Sequence, residues 1–243
     1  MRTSKFGKNI VCEYLGGSHL YNLNTVNSDI DLRGVYLTDS TPALFGFKKD
    51  ETKVNQSDEE DYAYFELNYF LKKLKRTNTN SIEALFAPED SFRMKTPVFD
   101  MIQKNYKRLM DSKALMHSLK GHVFNESKHA RGVRTGHLGG ARKAALDKHG
   151  FSPKNVSHMI RLAYCGEQFF KTGVFPVSLK GTPVFDICLR LKTHPEEFEL
   201  SEVSKLCEEQ IKKVDKLEDT VGYTFDNDFA CEVLLYGYGG LLK

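Results

Sequence analysis

Asp29 and Asp31 bracket a single residue, Ile30, and stand ten residues after the Gly16-Gly17-Ser18 turn that closes an apolar run from Ile10 to Leu15. On an extended chain successive side chains face opposite ways, so both carboxylates project from one face while Ile30 and Leu32 point into the core. Two acids held this close repel one another unless cations lie between them, and hard divalent ions take oxygen ligands. A pair of Mg2+ ions, with Mn2+ as a substitute, sharing two carboxylates is what metal-dependent nucleotidyl transfer needs. In that reaction an acceptor oxygen attacks the α-phosphorus of a nucleoside triphosphate, ATP being the first choice, and pyrophosphate leaves. Negative charge must be stabilised on both sides of the in-line displacement. Gly17 and Ser18 offer small side chains and free amides for the close approach of a triphosphate. Alone, Asp-x-Asp is a common pattern, and Asn27-Ser28-Asp29 also reads as a polar turn entering a strand.

The combination is more specific than the pair. Apolar strand, Gly-Gly-Ser, ten residues and then Ser28-Asp29-Ile30-Asp31-Leu32-Arg33-Gly34-Val35-Tyr36 fall together, and the segment from Tyr14 to Leu37 resembles the DNA polymerase β superfamily of nucleotidyltransferases. More narrowly, Gly17-Ser18-His19-Leu20-Tyr21 and the Ser28 to Tyr36 stretch resemble predicted nucleotidyltransferases found beside RNA ligases and in bacteriophages. The resemblance continues through Asp61, the segment from Phe65 to Leu74, and Asn80 to Pro88. Lys154, His158, Arg161 and Leu162 are similar to the family's Lys-x-x-x-His-x-x-Arg-Leu helix. The tract 111 to 150 matches poorly. The sequence departs from the family at Asn22, where Gly is common, and at His19, where Arg is frequent.

The resemblance implies Asp61 as the third acid, joining Asp29 and Asp31 as catalytic and metal-binding residues and helping to activate the acceptor hydroxyl. Glu66, five residues on, is a weaker rival. It also implies that Lys154, His158 and Arg161 contact the β- and γ-phosphates, Arg as a bidentate donor and Lys as a point charge. Their spacing alone would leave them as a hydrated helix face. No second His or Cys lies at ligand spacing from His158, so it reads as a phosphate donor. Arg33, two residues past Asp31 on the same face, either contacts a phosphate or pairs with an acid. Tyr21 either stacks on a base or packs beside the turn.

These residues need elements to hold them. The pattern predicts strands at 9–15 and 29–37, then a polar, acidic excursion over 48–61 that reads as a hairpin or exposed segment before a strand at Tyr62 to Phe65. From Glu66, Leu67, Phe70, Leu71 and Leu74 recur at helical spacing, opposite lysines. Asn80 and Glu83 predict a capping box for a second helix, stopped at Pro88. Thr96-Pro97 and Ser152-Pro153 predict helix starts; Val156, Met159, Ile160, Ala163 and Phe170 form the buried stripe of the latter. Ser201 is expected to cap a helix burying Val203, Leu206, Cys207, Ile211 and Val214. The expected fold is α+β: a polymerase-β-type nucleotidyltransferase mixed sheet, followed by a helical C-terminal part. The expected domains are a catalytic one over 1–90 and a helical one over 91–243 that closes the nucleotide site.

At 243 residues the chain can bury a sizeable core, and its composition (40% hydrophobic, 12% aromatic) is globular. No apolar run approaches a membrane span and no secretory signal follows Met1, so the cytosol is expected, that of a host if a phage encodes the chain. The five cysteines, an odd number without a Cys-x-x-Cys pair, read as reduced thiols, with Cys12 and Cys207 as core residues. Net charge is uneven: residues 101–161 hold 13 basic and 3 acidic side chains (net +10), while 1–100 carry −2 and 162–243 carry −5. Within the basic tract, Arg131, Arg134, Arg142 and Lys143 alternate with Gly132, Gly136, Gly139 and Gly140. This reads as a mobile segment that binds the acceptor or closes on the triphosphate, or else as a solvated loop. The expected acceptor is an RNA or tRNA end. An AMP-transferring modifier of a protein, or a nucleotide- or RNA-binding regulator without turnover, are the rival functions. The oligomeric state is not legible.

Overall fold

The structure is a computed structural model that describes residues 9–40, 45, 53–56, 60–133 and 140–239. A five-stranded mixed sheet carries the N-terminal half, in the order β3-β4-β2-β1-β5. β1 (Asn9–Leu15) and β2 (Ile30–Leu37) are its central antiparallel pair. Covered on both faces, they bury Ile10, Val11, Cys12, Tyr14, Leu32, Val35, Tyr36 and Leu37 almost without alternation. β3 (Lys53–Gln56) forms an antiparallel hairpin with β4 (Glu60–Glu66), and β4 lies parallel to β2. Of the polar excursion, residues 48–52 and 57–59 lie outside the described residues. β5 (Phe92–Lys95) adds to the free edge of β1 and was not visible in the sequence, because four residues are too few to show alternation.

Around the sheet run a short helical turn, α1 (Gly17–Leu20), and the helices α2 (Leu67–Lys75), α3 (Thr79–Phe86) and α4 (Pro97–Lys104). α2 buries the four predicted residues Leu67, Phe70, Leu71 and Leu74. The predicted capping box of α3 is not formed. Thr77 turns the chain with φ +53° and the helix starts earlier, capped by the Asn78 side chain, which accepts from Ser81 N at 3.3 Å. Glu83 turns instead to the Tyr21 hydroxyl. Thr96 and Pro97 start α4 as expected, with the Thr96 hydroxyl donating to Val11 O at 2.8 Å.

Packing divides the chain into two compact units, residues 1–112 with 222–243, and residues 113–221. β5 and α4, beyond the expected boundary at residue 90, thus belong with the sheet. The last helix of the chain, α10 (Asn227–Tyr238), also belongs to the first unit: the Tyr238 hydroxyl donates to Glu66 and accepts from Thr38 N at 3.1 Å. The second unit is helical: α5 (Ser112–Ala130, whose first residue belongs to the first unit), α6 (Gly140–His149), α7 (Pro153–Thr172), α8 (Phe185–Thr193) and α9 (Leu200–Asp215). α8 and α9 pack on α7, which buries the whole predicted stripe from Val156 to Phe170. α9 starts from Glu199 rather than Ser201, and of its five expected inward residues Val203, Cys207 and Val214 are buried. Among the described residues no helix is long and apolar enough to cross a membrane.

Candidate active site

The Gly-Gly-Ser turn folds back onto β2. Leu15 and Leu32 are the last register partners of β1 and β2, and Gly16 N then donates to Asp31 O at 2.8 Å. Gly17 has φ +55°, and a Cβ there would lie 1.9 Å from Asp31 Oδ2; one on Gly16 would lie 2.5 Å from Arg33 Cγ. Side chains at either glycine would displace the two charged groups beneath them, which explains the composition of the turn better than flexibility does. The turn is pinned from behind. Leu20, Tyr21 and Leu23 are buried, and the Tyr21 hydroxyl donates to Glu83 Oε1 at 2.7 Å, so Tyr21 packs rather than stacks on a base. Asn22 takes φ +58°, a left-handed conformation that asparagine tolerates better than most residues. A glycine would meet the same demand without strain.

Asp29 is exposed and precedes β2, while Asp31 lies in the strand. In the parallel β2–β4 pairing Asp31 is the register partner of Asp61. Register partners on adjacent strands project to the same face, so this pairing sets two carboxylates side by side from strands 30 residues apart in sequence. Arg33 continues that face, with its guanidinium 3.9 Å from Asp31 Oδ1 and both side chains a little over a quarter exposed. Glu66, five residues along β4, has a different task. It is 1% exposed, its two oxygens accept from Asn68 N and Tyr69 N at 3.0 Å each, and it receives the Tyr238 hydroxyl. It is the N-cap of α2 and faces protein.

The sequence candidates of the second unit lie along α7. Lys154, His158 and Arg161 follow one stripe of the helix, Lys154 exposed and the other two partly buried. His158 has a partner that the sequence did not single out: its Nδ1 lies 3.5 Å from Glu126 Oε1 on α5. Burial pushes the Glu126 pKa up, but the contacts with His158 and Asn155 and the proximity of His129 outweigh it and bring it down to about 2. One signal for Glu126 was available, since it is the sole acid between Asp111 and Asp147 in the strongly basic tract. That tract is partly helical rather than a loop. Arg131 follows the end of α5 and donates from Nε to Ser127 O at 3.3 Å, and Arg142 and Lys143 lie on α6. Arg134, Gly136 and Gly139 lie outside the described residues.

Asp29, Asp31 and Asp61 carry carboxylate oxygens, the donor type that hard divalent cations take, and the absence of a side chain at Gly17 leaves room beside the Asp31 carboxylate. Among the described residues, no group of three or more His, Cys, Asp or Glu is already drawn together as a metal site. Of the five cysteines, Cys12, Cys165, Cys188 and Cys207 are buried and Cys231 is exposed; burial raises the Cys12 pKa.

A family model described as the RNA repair pathway DNA polymerase beta family matches residues 3–181. A solved structure of a nucleotidyltransferase-like protein from Exiguobacterium sibiricum 255-15 is similar over 96% of this chain and 72% of its own, at 10% identity and a TM-score of 0.32. Comparison with curated proteins gives no match.

Proposed function

The chain belongs to the RNA repair pathway DNA polymerase beta family, and on that premise we propose that it transfers a nucleoside monophosphate from a nucleoside triphosphate, ATP first, to a hydroxyl at an RNA or tRNA end. The observation that carries this reading is the register of Asp31 with Asp61 beneath the glycine turn. With Asp29 these carboxylates would hold Mg2+, which supplies positive charge against the phosphate oxygens and lowers the pKa of the attacking hydroxyl.

The remaining roles fall to the chain itself. Asp61 helps to draw the proton from the acceptor hydroxyl, whose oxygen bonds to the α-phosphorus as the bond to the bridging oxygen breaks and pyrophosphate departs. Gly16 and Gly17 leave room for the triphosphate to approach the backbone. Arg33, held near Asp31 by a 3.9 Å ion pair, is available to a phosphate oxygen. Lys154 and Arg161 contribute positive charge, and His158 a ring N–H donor, to the β- and γ-phosphates. Arg131, Arg134, Arg142 and Lys143 contact the RNA backbone.

The test uses ATP labelled on the α- or on the γ-phosphate, Mg2+, and RNA ending in a 3′ hydroxyl or a 3′ phosphate. The proposal expects label on RNA from α-labelled ATP only, and only with the free hydroxyl. Label on protein instead would favour the protein modifier, and label from the γ-position would overturn nucleotidyl transfer.

A further inference from the structure

Glu126 sits at the end of a buried polar relay that begins at the start of α7. Ser152 N donates to Ala130 O at 2.8 Å, tying the first turn of α7 to the last of α5. The Ser152 hydroxyl donates to Asn155 Oδ1 at 2.6 Å, and Asn155 Nδ2 donates to Glu126 Oε2 at 2.6 Å. Ser152 is 2% exposed and Asn155 4%. A carboxylate can only accept, so the amide nitrogen of Asn155 must be the atom that faces Glu126, and its oxygen is left for the serine. One oxygen of Glu126 is thereby committed to the relay. The other faces His158 Nδ1, and the His158 side chain is 35% exposed.

The Ser152 side chain does not cap α7; the relay runs instead through Asn155 to a carboxylate and then to a partly exposed histidine. We propose that Glu126 is a positioning residue, orienting the His158 ring through Nδ1 so that Nε2 is presented to a phosphate oxygen of the triphosphate. This rests on the reading of His158 as a triphosphate contact. Donor count decides what the ring can offer. A neutral imidazole that donates from Nδ1 has only an acceptor at Nε2, which a phosphate oxygen repels; the doubly protonated ring donates from both. A carboxylate against Nδ1 faces that nitrogen and fixes the orientation of the ring. His122 also lies near Glu126, and burial, then His158, holds it toward its neutral form.

Binding of ATP and of AMP, measured in Mg2+ on the full chain, tests this with Glu126→Gln, Glu126→Asp, His158→Ala and the double variant Glu126→Gln/His158→Ala. His158→Ala and Glu126→Gln should each weaken ATP about tenfold and leave AMP nearly unchanged, the scale of one charge-assisted hydrogen bond. The double variant should bind ATP no worse than His158→Ala, because Glu126 acts through that ring; Glu126→Asp, which keeps the charge, should fall between wild type and Glu126→Gln. Additive losses in the double variant, or equal weakening of ATP and AMP by Glu126→Gln, would reduce Glu126 to a structural link between α5 and α7. If His158→Ala weakens ATP while Glu126→Gln and Glu126→Asp bind as wild type, positioning alone is overturned. If His158→Ala binds ATP as wild type, the triphosphate contact itself is wrong, and this proposal goes with it.

Discussion

At the scale of single residues, the proposed chemistry rests on what is missing from two glycines as much as on the carboxylates beside them. A Cβ at position 17 would fall on Asp31 Oδ2. Gly17→Ala should therefore shift that carboxylate and lower transfer by about 100-fold, the scale on which a misplacement of about 1 Å acts. The cost of a positive φ for alanine, about 1–2 kcal/mol, lowers the melting temperature only modestly. Transfer rates near wild type would show that the turn does not bear on Asp31. Asp29, Asp31 and the glycines were legible because their spacing is local. Glu126 was not, since its partners come from another helix. It also predicts an acid response. With its pKa lowered from 4.5 to about 2, the Glu126 carboxylate stabilises the fold fully above about pH 4.5, and that contribution fades as pH falls toward 2. Acid unfolding of Glu126→Gln should show a shallower loss of stability across that window than wild type; identical profiles would contradict the assignment.

At the scale of elements, the parallel pairing of β2 with β4 brings Asp61 beside Asp31, and the cap of α2 takes Glu66 away. The two acids lie five residues apart on one strand, so sequence could rank them but not separate them. Glu66→Ala removes a cap worth about 1 kcal/mol and leaves the Tyr238 hydroxyl without its acceptor at about 1–3 kcal/mol. The melting temperature should fall by several degrees, while transfer measured well below it should stay within a few-fold of wild type. Loss of transfer with unchanged melting would make Glu66 the third acid instead. Strands 9–15 and 29–37 and the helices after Glu66, Thr96 and Ser152 were readable from periodicity and start signals. α5 was not, although Leu115, Leu119 and Val123 are buried, because Gly121, Asn125 and its histidines interrupt the pattern. The asparagine cap of α3 was misplaced by two residues, because the left-handed turn at Thr77 is invisible in residue types.

At the scale of the whole molecule, charge and fold are separated: the acids of the candidate site lie on the sheet of one unit, and the excess of lysine and arginine falls largely in the other. Neutralising Arg131, Arg134, Arg142 and Lys143 should lower RNA affinity and flatten its salt dependence, by a slope of up to about 0.7 for each phosphate no longer neutralised, without weakening ATP. RNA titrations at several salt concentrations read this directly, and an unchanged slope would remove those side chains from the acceptor surface. The uneven charge was plain in the sequence; the division into units was not, because residues 222–243 rejoin the first unit from the far end of the chain. The central claim is that Asp31 and Asp61, register partners from two strands, form one catalytic pair. Its most direct test is the initial rate of nucleotidyl transfer with Mg2+ for wild type, Asp31→Asn and Asp61→Asn, with melting curves alongside. Both variants should melt as wild type and lose transfer by at least about 100-fold, the scale of removing a key electrostatic stabiliser; either one retaining near-full activity would contradict the account.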